Sequence, residues 1–183
     1  MALSSTVHSF EITLNDADRG VYESLEFRVA RHPSETAEYL LTRVLAYCLE
    51  YTEGLAFSKG GLSDADAPAL AIRDLTGALK SWIEIGTPEA ARLHKAAKAA
   101  PRVAVYSQKD VSAFLERLAS EGVYRADKIE VYALDQLFLA ALVARLERRM
   151  RFDLAVSDRQ LYLSLGEETL TGAVVAHGPG AGR

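Results

Sequence analysis

The sequence predicts a compact α/β (α+β) domain in which helices flank a mixed β-sheet, with additional β-strands at the N- and C-terminal ends. Three observations support this fold class. The chain has 183 residues, of which 49% are hydrophobic, and this is enough for one substantial core. Segments with apolar residues at every second position alternate with segments of helical period. Residues 79–107 read as strand, helix and strand, which is the order of a βαβ unit.

Composition limits the function classes. The 21 basic and 25 acidic side chains leave a formal charge of −4, which argues against a general basic coat for nucleic acid. A single cysteine, Cys48, excludes a disulfide framework within one chain. No window of 18 apolar residues and no basic, apolar leader occurs. We therefore expect a protein of the bacterial cytoplasm without a membrane association.

The first elements are a hairpin and a helix. Residues 7–14 and 21–30 alternate apolar and polar side chains around an Asp/Gly-rich loop, as in an antiparallel hairpin. Pro33 and Ser34 then predict a helix over residues 35–52. On the wheel of that helix, Glu38 lies about 70° from the centre of the apolar face and Glu35 about 130° away, so Glu38 is the carboxylate expected to reach inward.

The later elements follow from the same periodicities. We predict strands at residues 55–58, 102–107, 129–133, 150–156, 160–165 and 170–175, and helices at residues 88–100, 111–119 and 134–145. The helix over residues 134–145 is so apolar that it should be substantially buried. We expect a single domain over residues 1–175 and a loose tail over residues 176–183, which has little to bury.

The chain is organised around residues 66–98. A strand over residues 79–85 carries Glu84 among Trp82, Ile83 and Ile85, where an unpaired carboxylate is expensive to desolvate. A metal ion or a nearby base would remove that cost. The following helix carries Arg92, Lys95 and Lys98 on the side opposite its apolar residues, so it is basic and amphipathic.

The predicted order of elements in the first two thirds of the chain is helix, three strands, helix and strand, with carboxylates on three successive elements. This order resembles the core of the PD-(D/E)XK nucleases. The chain looks more closely like the YaeQ family, whose fold is similar to those nucleases. The matching blocks are residues 30–36 (Ala-Arg-His-Pro-Ser-Glu-Thr), Asp66-x-Pro68, Trp82-Ile-Glu-Ile-Gly86 and Arg92-x-x-Lys95-Ala96.

The resemblance implies a set of site residues. Two carboxylates would hold Mg²⁺, namely Glu84 and either Asp66 or Asp74, with Glu38 assisting from the first helix. Gly86 stands where the nuclease motif has a lysine, which puts ordinary nuclease activity in doubt. Lys95 is a substitute from the next helix, although its place on the wheel is towards solvent.

Strand register bears on the choice between the two aspartates. A tight turn at residues 76–77 sets Ala69 opposite Glu84 and leaves Asp74 about 16 Å away at 3.3 Å per residue, so that Asp66 is nearer. A looser turn centred on Leu79 would instead bring Asp74 opposite Glu84. Both alternatives stay open at this point.

Two functions of different classes also stay open. The first is a Mg²⁺-dependent phosphodiesterase or nuclease acting on nucleic acid, with Arg92, Lys95 and Lys98 contacting phosphate. The second is a non-catalytic binding or regulatory protein that keeps the nuclease-like fold with a degenerate site. Gly86 favours the second, and the acidic residues favour the first. A weaker third alternative is a purely structural network between these acids and Arg31 or Arg43.

Overall fold

The computed structural model describes residues 4–59 and 64–178, and this part of the chain contains ten β-strands and four α-helices. The strands are β1 (Thr6–Asp16), β2 (Val21–Arg31), β3 (Leu55–Phe57), β4 (Leu70–Arg73), β5 (Leu79–Ile85), β6 (Arg102–Ser107), β7 (Glu130–Leu134), β8 (Arg149–Ser157), β9 (Gln160–Leu165) and β10 (Glu168–His177). The helices are α1 (Ala37–Leu49), α2 (Ala90–Ala99), α3 (Ser112–Ser120) and α4 (Gln136–Val143).

All ten strands join one mixed sheet in the order β2-β1-β8-β9-β10-β7-β6-β5-β4-β3. Strands β5, β6 and β7 are parallel, with α2 connecting β5 to β6, so the predicted βαβ unit is confirmed. Strand β10 links the two halves of the sheet, because its first six residues pair with β9 and its last four with β7. The result is a mixed α+β domain.

The helices cover the sheet in two groups. Helices α1 and α4 pack over β1, β2 and β8–β10 in the largest apolar cluster, and α1 also covers β4–β6. Helices α2 and α3 cover the opposite face of β5–β7. Side chains of β1 alternate between buried and exposed because the second face of that half of the sheet meets solvent. The residues around Glu84 therefore lie in a three-layer region, with a helix on each face.

Three boundaries differ from the predicted ones. Helix α1 begins at Ala37, two residues late, because the side chain of Thr36 accepts the N-terminal hydrogen bond from Tyr39 N. Strand β10 continues through His177, two residues into the segment expected to be loose, because its last residues pair with β7. The remaining tail beyond residue 178 lies outside the described residues.

Helix α4 is less buried than its composition predicted. It spans eight residues, and its buried side chains, Phe138, Leu139 and Leu142, lie on one side. Leu137 is 84% exposed. On the buried side the helix approaches β10 so closely that a Cβ added at Gly172 would lie 2.4 Å from Phe138 Cβ. Glycine is thus required there for helix and strand to pack.

Cys48 is buried in α1 and forms no disulfide. Among the described residues, no helix is both long and apolar enough to cross a membrane.

Candidate functional site

Strand β5 places Glu84 between the sheet and helix α2. Successive strand residues point to opposite faces, so Ile83 and Ile85 pack beneath α1 while Trp82 packs against α2. Glu84 shares the face of Trp82 and is 3% exposed. Burial raises the pKa of its carboxyl group above the ordinary 4.5, and hydrogen bonds from Arg92 and Trp82 oppose this rise. Glu84 is therefore a buried acid that needs a cationic partner.

That partner is Arg92 of α2. Its Nε donates to Glu84 Oε1 at 2.9 Å, Nη1 donates to the carbonyl of Ala65 at 2.8 Å, and Nη2 donates to the carbonyl of Ala67 at 2.7 Å. Trp82 Nε1 donates to the same carboxylate oxygen of Glu84. Three oxygen atoms from two separate chain segments thus converge on one guanidinium group.

Asp66 lies between those two carbonyls in sequence and pairs with the next cation of α2. Its carboxylate accepts a hydrogen bond from Lys95 Nζ, and this contact holds the pKa of Asp66 below its usual range. The side chain of Asp66 is 84% exposed. Arg92 and Lys95 are three residues apart and therefore neighbours on the helix surface. Together they fasten the segment around Asp66 to α2.

Asp74 lies at the other end of the β4–β5 hairpin. Leu70 pairs with Ile83, which is the register predicted from a tight turn, and a bulge follows between Ile72 and Arg73. Asp74 accepts hydrogen bonds from the hydroxyl and main chain of Thr76 and lies 3.0 Å from Lys80 Nζ. These donors lower the pKa of its carboxyl group. The structure therefore brings Asp66, and not Asp74, to the helix that holds Glu84.

The carboxylate that reaches inward at the start of α1 is Glu35, not Glu38. Glu38 is exposed, whereas Glu35 is 3% exposed and lies 2.8 Å from Arg43 Nη2. Glu35 also accepts a hydrogen bond from the main chain of His32 at 3.0 Å, and burial raises its pKa. The wheel gave the wrong residue because Glu35 precedes the helix, where helical angles do not apply. Its place in the block 30–36 was the available sequence signal.

A cavity of about 380 Å³ opens beside Glu84 at the carboxyl ends of β5 and β6. Burial raises the pKa of Tyr39 in its wall to about 12, and the charge of Glu84 adds to this rise. The Oε1 atom of Gln108 is buried without a hydrogen-bond partner among the described residues. The polar residues of the wall are Tyr39, Glu84, Thr87, Arg92, Gln108 and Lys109.

Gly86 has a backbone conformation that a lysine would adopt only under strain. Its φ is +93°, in the region that favours glycine, and its N–H donates to the carbonyl of Tyr106 at 2.8 Å. Lys95, the predicted substitute, is bound to Asp66 and does not line the cavity. Lys109, which follows β6, does line it and is exposed. Sequence analysis missed Lys109 because its proximity depends on β6 lying beside β5.

The residues described here do not fit a magnesium centre in this arrangement. Mg²⁺ requires several oxygen atoms with free lone pairs around one point. Glu84 Oε1 already accepts from Trp82 and Arg92, and Asp66 is bound to Lys95. Within residues 4–59 and 64–178, no group of three or more His, Cys, Asp or Glu side chains is placed to hold a metal ion.

Comparisons with known proteins identify the family. A family model described as YaeQ protein matches residues 1–174. The chain is 31% identical over 166 residues to "Uncharacterized protein YaeQ" of Escherichia coli (strain K12), covering 90% of this chain and 91% of the relative. The crystal structure of YaeQ protein from Pseudomonas syringae has a TM-score of 0.87 at 32% identity, with 97% of this chain and 98% of that chain covered. The YaeQ structure from Xanthomonas axonopodis pv. citri has a TM-score of 0.85 at 31% identity and covers 96% and 99%. The chain therefore belongs to the YaeQ family.

Proposed function

We propose that this protein is a non-catalytic binding or regulatory protein that keeps a PD-(D/E)XK nuclease-like core and holds nucleic-acid phosphate groups near the Glu84 cavity. The observation that carries this proposal is the position of Arg92, whose guanidinium group binds the oxygen atoms of Glu84, Ala65 and Ala67. A permanent cation at this point neutralises the buried carboxylate without a metal. The element order α1-β3-β4-β5-α2-β6 supports the nuclease-like comparison.

Charge pairing in the basic stripe makes the expected binding weak. Arg92 and Lys95 are neutralised by Glu84 and Asp66. Lys98 and Lys109 are exposed and form no ion pair within the described residues. Each lysine that neutralises a phosphate releases counterions, so affinity should fall steeply with salt. Lys98 and Lys109 are thus the cations available to a polyanion.

The test is the binding of a fluorescent single-stranded oligonucleotide, measured by anisotropy over a range of salt concentrations. We expect Lys98→Glu combined with Lys109→Glu to weaken binding at low salt at least about tenfold and to reduce the salt slope by about two. Lys128→Glu is the matched control, since Lys128 is exposed and precedes the amino end of β7, far from the cavity. Equal binding by wild type and the double variant would refute the proposal.

A second candidate is a Mg²⁺-dependent phosphodiesterase. It is favoured by the buried Glu84 beside a cavity and by the attachment of both Glu84 and Asp66 to one helix, so that movement of Arg92 and Lys95 would free both acids. Melting temperatures with and without Mg²⁺ or Mn²⁺, together with oligonucleotide cleavage, separate the candidates. A metal-dependent rise in wild type that Glu84→Gln abolishes, together with cleavage, would replace the first candidate by the second.

A further inference from the structure

A second cavity, of about 710 Å³, shares no wall residue with the Glu84 cavity. Its wall is formed by the C-terminal end of α1, by β6, β7 and β10, and by the β1–β2 and β8–β9 turns. Volumes of this size accommodate small organic molecules. The sequence gave no sign of this cavity, because its residues come from distant parts of the chain.

Arg102 is fixed at the wall by two carboxylates. It donates to Glu50 at 2.7 and 2.9 Å and to Glu130 at 2.6 and 3.1 Å. Tyr106 donates its hydroxyl hydrogen to Glu50 at 2.7 Å, and Tyr132 donates to Glu130 at 2.9 Å. These bonds hold the guanidinium group in one orientation and use four of its five N–H groups, which leaves one.

Arg19 is fixed in a similar way. Its Nε donates to Asp16 at 2.7 Å, and its two Nη atoms donate to the carbonyls of Tyr51 and Cys48, each at 3.0 Å, at the end of α1. Two of its five N–H groups remain. The positive charge also suits the negative end of the helix dipole.

The arginine side chains are the more accessible members of these pairs. Arg19 is 34% exposed against 2% for Asp16, and Arg102 is 33% exposed against 10% for Glu50. The carboxylates are thus covered, and the guanidinium groups offer their remaining donors to a ligand. Such preorganised donors favour a carboxylate or a phosphate.

The third arginine of the wall is Arg159, in the β8–β9 turn. Asp158 and Arg159 have φ of 51° and 59°, and their N–H groups donate to the two carboxylate oxygens of Asp18 at 2.7 and 2.9 Å. The apolar wall residues are Leu49, Val156 and Val174. We propose that this cavity binds a small organic anion, whose carboxylate or phosphate group meets the three arginines and whose apolar body lies against these three side chains.

Two neighbouring substitutions test the sign of the ligand's charge. Asparagine tolerates positive φ better than most residues, so Arg159→Asn and Asp158→Asn should both fold. The probes are benzoate, phenyl phosphate and the cation benzylamine, titrated against the full chain and followed by NMR chemical shifts. We expect saturable binding of at least one anion, weakened about tenfold by Arg159→Asn and unchanged or strengthened by Asp158→Asn.

Arg151→Gln is the control for overall charge, because Arg151 lies on the solvent face of β8 and is 81% exposed. It should leave anion binding unchanged. The inference would be overturned by the absence of saturable anion binding at millimolar concentrations, or by an equal loss of affinity in Arg151→Gln and Arg159→Asn. Benzylamine binding that Asp158→Asn abolishes would overturn it as well, since the cavity would then select cations.

Discussion

Replacement of Arg92 by leucine tests whether this side chain neutralises the buried Glu84. The Glu84 side chain is 4% exposed and that of Arg92 is 27% exposed, so the variant leaves a nearly buried charge without its partner. Breaking a buried pair in this way costs about 3–5 kcal/mol, and the partial exposure of Arg92 places the expected loss near about 3 kcal/mol. Urea denaturation followed by circular dichroism measures the free energy of unfolding.

Glu84→Gln should cost less, about 1 kcal/mol, because Arg92 keeps its bonds to the carbonyls of Ala65 and Ala67. The double variant should cost about 2 kcal/mol, which corresponds to a coupling energy of about 2 kcal/mol. Lys98→Leu, on the same helix, is the control and should stay within about 0.5 kcal/mol of wild type. A loss below about 0.5 kcal/mol in Arg92→Leu would refute the reasoning.

The same variant has a predicted pH dependence. Burial already raises the folded-state pKa of Glu84 above 4.5, and loss of Arg92 removes two interactions that lower it. A carboxyl group with a raised folded-state pKa binds more protons when folded, so its contribution is complete below pH 4.5 and is lost as pH rises through the folded pKa. The deficit of Arg92→Leu should therefore be smaller at about pH 5 than at about pH 8. A deficit that grows towards low pH would show that another group dominates.

Three further outcomes are expected. Gly172→Ala should lower the free energy of unfolding by about 2–3 kcal/mol in urea melts, because the added Cβ would lie 2.4 Å from Phe138 Cβ; a loss below about 0.5 kcal/mol would contradict the close packing of α4 on β10. Gly86→Lys should cost about 1–2 kcal/mol because of the positive φ, and it should not create nuclease activity; metal-dependent oligonucleotide cleavage by this variant would count against the non-catalytic assignment. Cys48 should react with a thiol reagent only on unfolding, because burial raises the pKa of its thiol to about 12; rapid labelling of the native protein would show that α1 opens locally.

Local patterns predicted much of the fold and part of the site. The β4–β5 register followed from the tight turn, and the pairing of Leu70 with Ile83 confirms it. The buried position of Glu84 followed from its apolar neighbours in β5. In contrast, Glu35 was misplaced by a helix wheel extended over residues that precede the helix. The exposure of Leu137 also escaped prediction, because composition alone does not reveal how much of a helix its neighbours cover.

The sequence by itself determined the order and type of the elements, since period-2 and period-3.6 patterns report which side of each element is apolar. It also determined that a buried acid in β5 would need a compensating charge. Only the tertiary structure decided that this charge is Arg92 and that the segment carrying Ala65 and Ala67 shares it. Contacts between residues more than twenty positions apart depend on strand pairing and on where long side chains end, and neither is encoded in a local period.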